Sequence, residues 1–367
     1  MKAVLREVDT LARIGGDEFV AVLVHLEYPT GVEPLLERLL RATADSVMVG
    51  QTMLHISASI GVTIYPQDEA NANAGQLLRH ADQAMYVAKQ SGRNRYALFD
   101  VSQDAALKTQ QENLAGIRRA LDRHEFVLHF QPKVNLRTRD VIGVEALIRW
   151  QHPQRGLLPP AEFMPIVENH AYGIELGEWV IDAALAQMVK WQEQHFDMPI
   201  SVNIAAYHLQ CDGFAMRLRE RFAAHPTIRP DQFELEVLET SALEDMGNAS
   251  KIMQACCEVG VHFAPDDFGT GYSSLIYLKR LPVDIIKIDQ SFVYDMLNDP
   301  EDLSIIEGVV GLAKSFNRQV IAEGVETAGQ GERLMRLGCD LAQGCAIASP
   351  MPASDLPGWA AAWTGKI

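Results

Sequence analysis

Cysteine is scarce in this sequence, and no two cysteines have the Cys-x-x-Cys spacing. The five cysteines among 367 residues are an odd number. They therefore predict neither a disulfide framework nor a zinc site, and we expect reduced thiols. No apolar run approaches the roughly 18 residues that a membrane span requires, and residues 1–7 lack the apolar core of a signal peptide. We expect a cytoplasmic protein without a membrane span.

Positive charge is also in deficit. Lysine and arginine number 32 against 48 aspartates and glutamates, which gives a formal net charge of −16. A chain without a basic excess has little to displace counterions from a phosphate backbone, so we expect no binding to a nucleic acid polymer. If the ligand carries phosphate, metal ions must supply the positive charge. The length is sufficient for two domains, one of them large.

Two adjacent carboxylates follow an apolar run and precede a glycine-rich stretch. The run is residues 259–263, the carboxylates are Asp266 and Asp267, and the stretch is residues 268–275. Carboxylates held this close share a proton or bind metal, and an oxygen-rich pair can bridge two divalent ions. Most Asp-Asp pairs are instead helix caps or Asx turns. This stretch alone leaves both interpretations open.

Short β-rich runs alternate with amphipathic stretches about eight times between residues 125 and 367. This alternation predicts an α/β fold, a TIM-like (β/α)8 barrel of roughly 250 residues. The predicted strands are 126–131, 141–149, 200–204, 233–237, 261–264, 284–288, 319–322 and 341–343. The predicted helices between them include 178–194, 215–224, 246–259, 302–316 and 328–337.

Polar residues recur near the carboxyl ends of these predicted strands. They are Glu145, Asn203, Glu236, Asp266, Asp267, Lys287, Glu323 and Gln343. A single residue of this kind is usually a cap or a loop salt bridge. A set on successive strands predicts one site, because the carboxyl ends of barrel strands lie on one face. Oxygen ligands without histidine or cysteine favour Mg²⁺ or Mn²⁺ over Zn²⁺.

The amino-terminal part has a different pattern. Residues 11–24 predict a hairpin with its turn at Gly15-Gly16, and they are followed by a helix at 32–44, a strand at 55–65 and a helix at 75–90. Residues 101–124 are polar, with apolar residues at helical spacing, which predicts a connecting helix. We therefore expect domains at 1–100 and 125–367, joined by residues 101–124.

Three motifs in the first domain resemble the GGDEF family of diguanylate cyclases. They are residues 13–19, 59–62 and 81–96, and the first contains Gly15, Gly16, Asp17, Glu18 and Phe19. The resemblance implies an α+β domain. It also implies an inhibitory product-binding site at Arg6 and Asp9, for which a solvated, salt-bridged turn is the alternative.

The family's first strand and its next helices, with further metal and guanine ligands, have no counterpart in this sequence. We therefore expect an incomplete GGDEF domain whose amino-terminal half is missing, without cyclase activity. A shortened chain, a remnant domain and a start site downstream of the native one all remain open. GTP binding to this part as a regulator also remains open.

Four motifs in the second domain resemble the EAL phosphodiesterases that hydrolyse cyclic di-GMP. They are residues 145–150, 266–275, 286–289 and 322–327, within a resemblance spanning about 108–363. It implies one metal held by Glu145, Asn203, Glu236 and Asp266, and a second held by Asp266 and Asp267. Glu323 is implied as a further carboxylate at the metals. The resemblance implies that Glu323 is catalytic, as are Lys287 and Glu145.

The resemblance also implies substrate contacts and a regulated loop. Substrate contacts fall on Gln131, Leu147, Arg149, Asp289 and Gln343, and Glu239 is implied to steady the loop after Asp267. Cys345 stands where the family has a tyrosine, which puts base stacking at the rim in doubt. A homodimer through the EAL domain is expected from the resemblance alone.

We therefore predict metal-dependent hydrolysis of cyclic di-GMP to linear 5′-pGpG by a two-metal mechanism. One alternative is a receptor that binds the dinucleotide without cleaving it, but no implied metal or catalytic residue is missing. A bifunctional cyclase and phosphodiesterase is the other alternative, and it requires the residues that this sequence lacks.

Overall fold

The computed structural model describes residues 2–26, 32–44, 47–49, 52–54, 56–66, 73–90, 93–99, 101–168, 170–238, 246–269 and 280–365. The chain divides into two compact units, Met1–Glu112 and Asn113–Ile367. The helix Val101–Asp122 runs across this division. It confirms the helix predicted for residues 101–124, whereas the domain boundaries themselves remain a prediction.

The first unit is built from short strands and two longer helices. Its described elements are the 3₁₀ helix Lys2–Val4, β1 (Thr10–Gly15), β2 (Glu18–Val22), the helix Glu33–Ala44, β3 (Val47–Val49), β4 (Thr52–Leu54), β5 (Ile60–Val62), the helix Ala74–Gln90 and β6 (Tyr96–Leu98). β1 pairs antiparallel with β2, β3 antiparallel with β4, and β5 parallel with β6. The predicted hairpin and both helices are confirmed.

The strand predicted at 55–65 is wrong in extent, because β5 is the only strand within the described residues 56–65, and the hairpin of β3 and β4 precedes it. Gly61 in β5 lies directly against the helix Ala74–Gln90. A Cβ atom on Gly61 would lie 1.8 Å from the carbonyl oxygen of Ala81. Glycine is therefore required at this position for the strand and helix to pack this closely.

The second unit is a nearly closed barrel. Its strands are β7 (Phe126–Asn135), β8 (Val141–His152), β10 (Ile200–Asn203), β11 (Phe233–Leu238), β12 (His262–Asp266), β13 (Ile285–Ile288), β14 (Gln319–Ala322) and β15 (Leu341–Ala342). They follow the order β12-β11-β10-β8-β7-β15-β14-β13. A parallel bridge from Phe268 to Ile288 connects the two ends of this order. The TIM-like barrel is confirmed.

Helices and short segments surround the barrel. They are Met164–Val167, Ala171–Glu193, Ala206–Leu209, Phe214–Ala224, Met246–Cys257, Gln290–Asp295, Pro300–Ser315, Ala328–Leu337 and Leu356–Ala362, with 3₁₀ turns at Pro160–Glu162 and Pro230–Gln232. β9 (Gly156–Leu158) pairs with β8, and β16 (Met351–Pro352) pairs with β7. Among the described residues, no helix combines the length and apolar character needed to cross a membrane.

The regular strand-helix repetition does not hold at β7. This strand runs antiparallel to both β8 and β15, whereas the other neighbouring barrel strands are parallel. The connection between β7 and β8 is a short turn, in which Asn135 Oδ1 accepts hydrogen bonds from the amides of Arg137 at 2.9 Å and Thr138 at 3.0 Å. A turn of this length cannot contain the helix that a parallel crossover requires, so β7 and β8 form a hairpin.

Residues along each barrel strand alternate between two environments. Val202, Leu235, Phe263 and Ile286 are at most 1% exposed and belong to the hydrophobic core. Their sequence neighbours Asn203, Glu236 and Lys287 belong to the opposite strand face, since successive side chains point to opposite faces. The outer face therefore packs against helices while the inner face gathers polar groups.

Candidate active site

Nine of the predicted site residues come from seven barrel strands and lie near one end of the barrel. Asn203 and Asp266 end their strands, Asp267, Asp289, Glu323 and Gln343 directly follow theirs, and Glu236 and Lys287 lie near the end of theirs. Glu145 departs from the expected placement, because it lies within the 12-residue β8 rather than at its end. The later part of β8 continues beyond this level to pair with β9.

Lys287 lies at the centre of the site and is 1% exposed. Its ammonium contacts Glu236 Oε2 at 2.5 Å, Glu323 Oε1 at 2.6 Å, Asp266 Oδ1 at 2.9 Å and Glu145 Oε2 at 3.8 Å. Four carboxylates from four strands therefore converge on one cation. The structure thus brings together these four carboxylates, which the sequence predicts to lie at one site.

Glu145 is also held by two amide side chains. Asn203 Nδ2 donates to Glu145 Oε1 at 2.6 Å, and Gln343 Nε2 donates to Glu145 Oε2 at 2.6 Å. Gln343 Nε2 donates further to Gln131 Oε1 at 3.0 Å, and Gln131 Nε2 donates to the carbonyl of Ala348 at 3.1 Å. This chain of hydrogen bonds fixes the orientation of the Glu145 carboxylate.

Lys133, a residue that the sequence analysis missed, binds Oε1 of Glu236, the oxygen that does not contact Lys287. Lys133 Nζ lies 2.7 Å from Glu236 Oε1 and 2.8 Å from Glu234 Oε1. The signal that could have revealed it is the alternation of β7, which places Lys133 on the strand face of Gln131, between buried Pro132 and Val134. A lysine in a strand with buried neighbours predicts a partner inside the barrel.

The adjacent carboxylates differ in their surroundings. Asp267 has a left-handed backbone with φ +55°, and its amide donates to Asp266 Oδ1 at 3.1 Å. Asp289 caps the helix Gln290–Asp295 by accepting from the amide of Ser291 at 2.8 Å. Burial, the hydrogen bond to Asp289 and the charge of Asp266 raise the pKa of Asp267 to about 7. The hydrogen bond to Asp289 and the nearby negative charge therefore favour the protonated form of Asp267 in the metal-free site.

The concentration of negative charge at the site also shifts the pKa values of Glu145, Glu323 and Lys287. Burial and the charge of Glu236 raise the pKa of Glu145, and burial with the neighbouring carboxylates raises the pKa of Glu323, against the opposing charge of Lys287. Burial would lower the pKa of Lys287, but the surrounding carboxylates outweigh it and hold that pKa well above its usual range. Lys287 is therefore a permanent cation that only partly balances the acids.

The residues present fit divalent cations. Asp266, Asp267 and Glu323 each offer an oxygen, and these atoms all lie within 4.8 Å of one another. The donors are oxygens, which suits Mg²⁺ or Mn²⁺. A cation would relieve the charge repulsion that raises the carboxylate pKa values. Gln343 Oε1 is buried and has no hydrogen-bond partner in the described part of the chain, which leaves an acceptor at the site.

Leu147 and Arg149 follow Glu145 on the same face of β8, and both are partly buried. Arg149 Nη1 donates to the carbonyl of Ile148 at 2.9 Å. Burial lowers the pKa of Arg149 and the charge of Glu145 partly offsets this. Arg149 therefore remains a cation close to the carboxylate cluster.

Glu239 and the loop at 270–279 lie outside the described residues. In the first unit, Gly16 forms the hairpin turn with φ +52°, and its carbonyl accepts from Arg13 Nε at 2.9 Å. Asp9 accepts from the amide of Arg6 at 2.8 Å and from that of Val24 at 3.3 Å. These contacts give Asp9 a local structural role, and its role as an inhibitory site stays a prediction.

Comparison with known proteins agrees with both parts of the chain. The EAL domain family matches residues 115–350, and the family described as "Diguanylate cyclase, GGDEF domain" matches residues 1–95. The chain is 41% identical over 357 residues to the bifunctional diguanylate cyclase/cyclic di-GMP phosphodiesterase MucR of Pseudomonas aeruginosa, covering 97% of this chain and 52% of that protein.

A second curated relative is the cyclic di-GMP phosphodiesterase PdeR of Escherichia coli, 34% identical over 349 residues, covering 95% of this chain and 52% of that protein. The chain thus spans about half the length of these relatives. A solved structure, "PaMucR Phosphodiesterase, c-di-GMP complex", matches with a TM-score of 0.64 and 42% identity, covering 67% of this chain and 99% of that one. The chain belongs to the EAL domain family, and its EAL domain follows a GGDEF domain.

Proposed function

We propose that this protein hydrolyses cyclic di-GMP to linear 5′-pGpG, using two Mg²⁺ or Mn²⁺ ions at the barrel site. The observation that carries the proposal is the convergence of Glu145, Glu236, Asp266 and Glu323 on Lys287. Every residue that the EAL resemblance implies as a metal ligand is present in this sequence. The relatives named as cyclic di-GMP phosphodiesterases, and the neighbour solved with that ligand, support the same substrate.

The metal ligands in this proposal are Glu145, Asn203, Glu236, Asp266 and Asp267, with Glu323 beside them. When bound, such ions acidify water and offset charge that develops on a phosphoryl group. Glu323, whose Oε1 lies 2.6 Å from the Lys287 ammonium beside these ligands, is proposed to accept the proton of the attacking water.

Lys287 and the substrate-binding residues complete the site. The ammonium of Lys287 lies within contact of Glu323 and stabilises negative charge at the phosphorus. The planar guanidinium of Arg149 can bind two phosphate oxygens at once, which a lysine cannot do. Gln131, Leu147 and Gln343 line the same end of the barrel and are proposed to contact the dinucleotide.

The test is incubation of the chain with cyclic di-GMP and Mg²⁺ or Mn²⁺, followed by chromatography. We expect conversion to linear 5′-pGpG by the unchanged chain and a loss of at least about 100-fold in Glu145→Ala. Glu220→Ala, an exposed glutamate on the helix Phe214–Ala224, is the matched control and should retain activity. Binding of the dinucleotide without any cleavage under both metals would refute the enzyme and favour the receptor.

Two further expectations are tested with the same preparation. Incubation with GTP and Mg²⁺ tests the expected lack of cyclase activity, and formation of cyclic di-GMP would contradict it. Light scattering with and without Mn²⁺ tests the expected homodimer, and a monomer under both conditions would contradict that expectation.

A further inference from the structure

Lys133 is a buried lysine on the inner side of the barrel, on the antiparallel strand β7. Only 6% of its surface is exposed, although lysine is rarely buried unless its charge is paired. The residue lies two positions after Gln131 on the same strand face, and thus one layer deeper in the barrel. Its charge therefore needs a specific partner within the barrel.

The partners of Lys133 are two glutamates on β11, across the barrel. Its ammonium contacts Glu234 Oε1 at 2.8 Å and Glu236 Oε1 at 2.7 Å. The second oxygen of Glu236 contacts Lys287 at 2.5 Å. Glu236 is therefore held between two ammonium groups, one on each oxygen, and its carboxylate has a single orientation.

Without Lys133, Oε1 of Glu236 would lose the ammonium that fixes the orientation of this carboxylate. Glu234 and Glu236 share one strand face two residues apart, and they would repel one another. Within the described part of the chain, Glu234 has an ion pair with Lys133 alone, and Glu236 has ion pairs with Lys133 and Lys287. The pKa of Lys133 is held above its usual range, because the two glutamates outweigh the effect of burial, so the charge persists at neutral pH.

We propose that Lys133 is a positioning residue of the metal site: by holding Oε1 of Glu236 it keeps Oε2 directed toward the cluster of Lys287, Asp266 and Glu323. The inference rests on the proposed function, in which Glu236 is a metal ligand. Residues that orient a metal ligand from behind typically contribute 10- to 100-fold in metal affinity or activity. The competing explanation is that Lys133 only neutralises Glu234.

A pair of double variants separates these explanations. In Lys133→Met/Glu234→Gln the lysine is removed together with the charge of Glu234, so no unpaired Glu234 carboxylate is left to destabilise the barrel. In Lys133→Gln/Glu234→Gln a neutral donor can still bind Glu236 Oε1. Glu234→Gln alone is the matched control, because Lys133 keeps its contact with Glu236.

The measurement is calorimetric titration of the full chain with MnCl₂ in the absence of substrate. We expect Lys133→Met/Glu234→Gln to bind Mn²⁺ about 10- to 100-fold more weakly than the unchanged chain. Lys133→Gln/Glu234→Gln should recover part of that loss. Glu234→Gln should remain within about threefold of the unchanged chain. In activity assays of Lys133→Met/Glu234→Gln, the Mn²⁺ concentration for half-maximal rate should rise by a similar factor. Excess Mn²⁺ should restore its turnover.

Equal Mn²⁺ affinity in Lys133→Met/Glu234→Gln and Glu234→Gln would overturn the positioning role and leave charge neutralisation. If Glu234→Gln folds but both double variants do not, as judged by circular dichroism, Lys133 is a folding residue and the inference is wrong. No Mn²⁺ binding by the unchanged chain would refute both the proposed function and this inference. Mn²⁺ binding by that chain without an effect of Lys133 would refute only the inference.

Discussion

Replacing Lys287 with methionine tests how strongly the site depends on its central cation. Methionine has a similar chain length but no charge. Lys287 is 1% exposed and makes contacts of 2.5, 2.6 and 2.9 Å with three carboxylates. Removing one partner from a buried ion pair costs about 3–5 kcal/mol. We expect Lys287→Met to be destabilised by this amount at pH 8 in EDTA.

The destabilisation should depend on pH with a definite sign. Without Lys287, the carboxylates of Glu145 and Glu323 lose the charge that opposes their raised pKa values. An acid whose pKa is higher in the folded state than its ordinary value of 4.5 binds protons on folding, so stability falls as pH rises above that value. The difference between Lys287→Met and the unchanged chain should therefore be larger at pH 8 than at pH 5.5.

The assay is urea unfolding in EDTA at both pH values, followed by thermal melting. A loss of about 3–5 kcal/mol corresponds to a Tm decrease of about 6–20 °C for a unit of this size. Lys251→Met is the matched control, because Lys251 is exposed on the helix Met246–Cys257, and its effect should stay within about 0.5 kcal/mol. Saturating Mn²⁺ should recover part of the loss, since a ligand that binds only the folded state stabilises it.

The catalytic part of the same prediction is separate. Lys287→Met should lower turnover of cyclic di-GMP by about 10²- to 10³-fold, while dinucleotide binding stays measurable by calorimetry. If the variant in EDTA at pH 8 is within about 1 kcal/mol of the unchanged chain, the carboxylates do not depend on this cation. The account of the site's electrostatics would then be wrong.

Two further substitutions test packing and charge in the same barrel. Glu178 accepts from Arg217 Nε at 2.8 Å and pairs with Arg221 Nη2 at 2.7 Å, and despite burial these partners and His208 lower its pKa to about 2. Glu178→Gln should cost about 1–2 kcal/mol at pH 7 and lose this difference as pH falls from about 4.5 to about 2, measured by unfolding across that range. Gly344→Ala places a Cβ 2.3 Å from the carbonyl oxygen of Val325, a backbone overlap that no rotamer change relieves. It should cost at least about 1–3 kcal/mol in urea unfolding and reduce activity, because the adjacent Gln343 must move.

Each of these substitutions has an outcome that contradicts its reasoning. An unchanged acid dependence in Glu178→Gln would show that the carboxylate does not carry the pairing energy. Gly311→Ala, in the helix Pro300–Ser315 with nothing within 4 Å of the added carbon, is the control for Gly344→Ala. It should be neutral or stabilising by about 0.5–1 kcal/mol. Equal stability of the two alanine variants would refute the predicted overlap.

Local patterns predicted most of the barrel's elements. The helix predicted at 328–337 is observed as Ala328–Leu337, since Thr327 and Gln330 form a capping box at its start and Gly338 ends it with φ +89°. The strand at 319–322 is observed as Gln319–Ala322. These signals are contained within a few consecutive residues, so the sequence alone is sufficient to identify them.

The strand predicted at 55–65 was too long, because its length depends on a partner strand that is distant in sequence. Residues 55–65 are apolar enough for a long strand, but within the described residues 56–65 only Ile60–Val62 form one, which pairs with Tyr96–Leu98. Strand length depends on what the partner strand offers, and the partner here is three residues long. No local pattern contains that information.

The sequence by itself determined the chemistry of the site: oxygen donors, one lysine and the adjacent Asp266-Asp267 pair, on a repeating strand-helix framework. Only the tertiary structure decided that β7 runs antiparallel and that Glu145 lies within its strand rather than at its end. It also decided that Lys133 donates a hydrogen bond to Glu236, 103 residues away in sequence. Periodicity assigns each residue to a strand face, but strand order and register decide which charges meet inside a closed barrel.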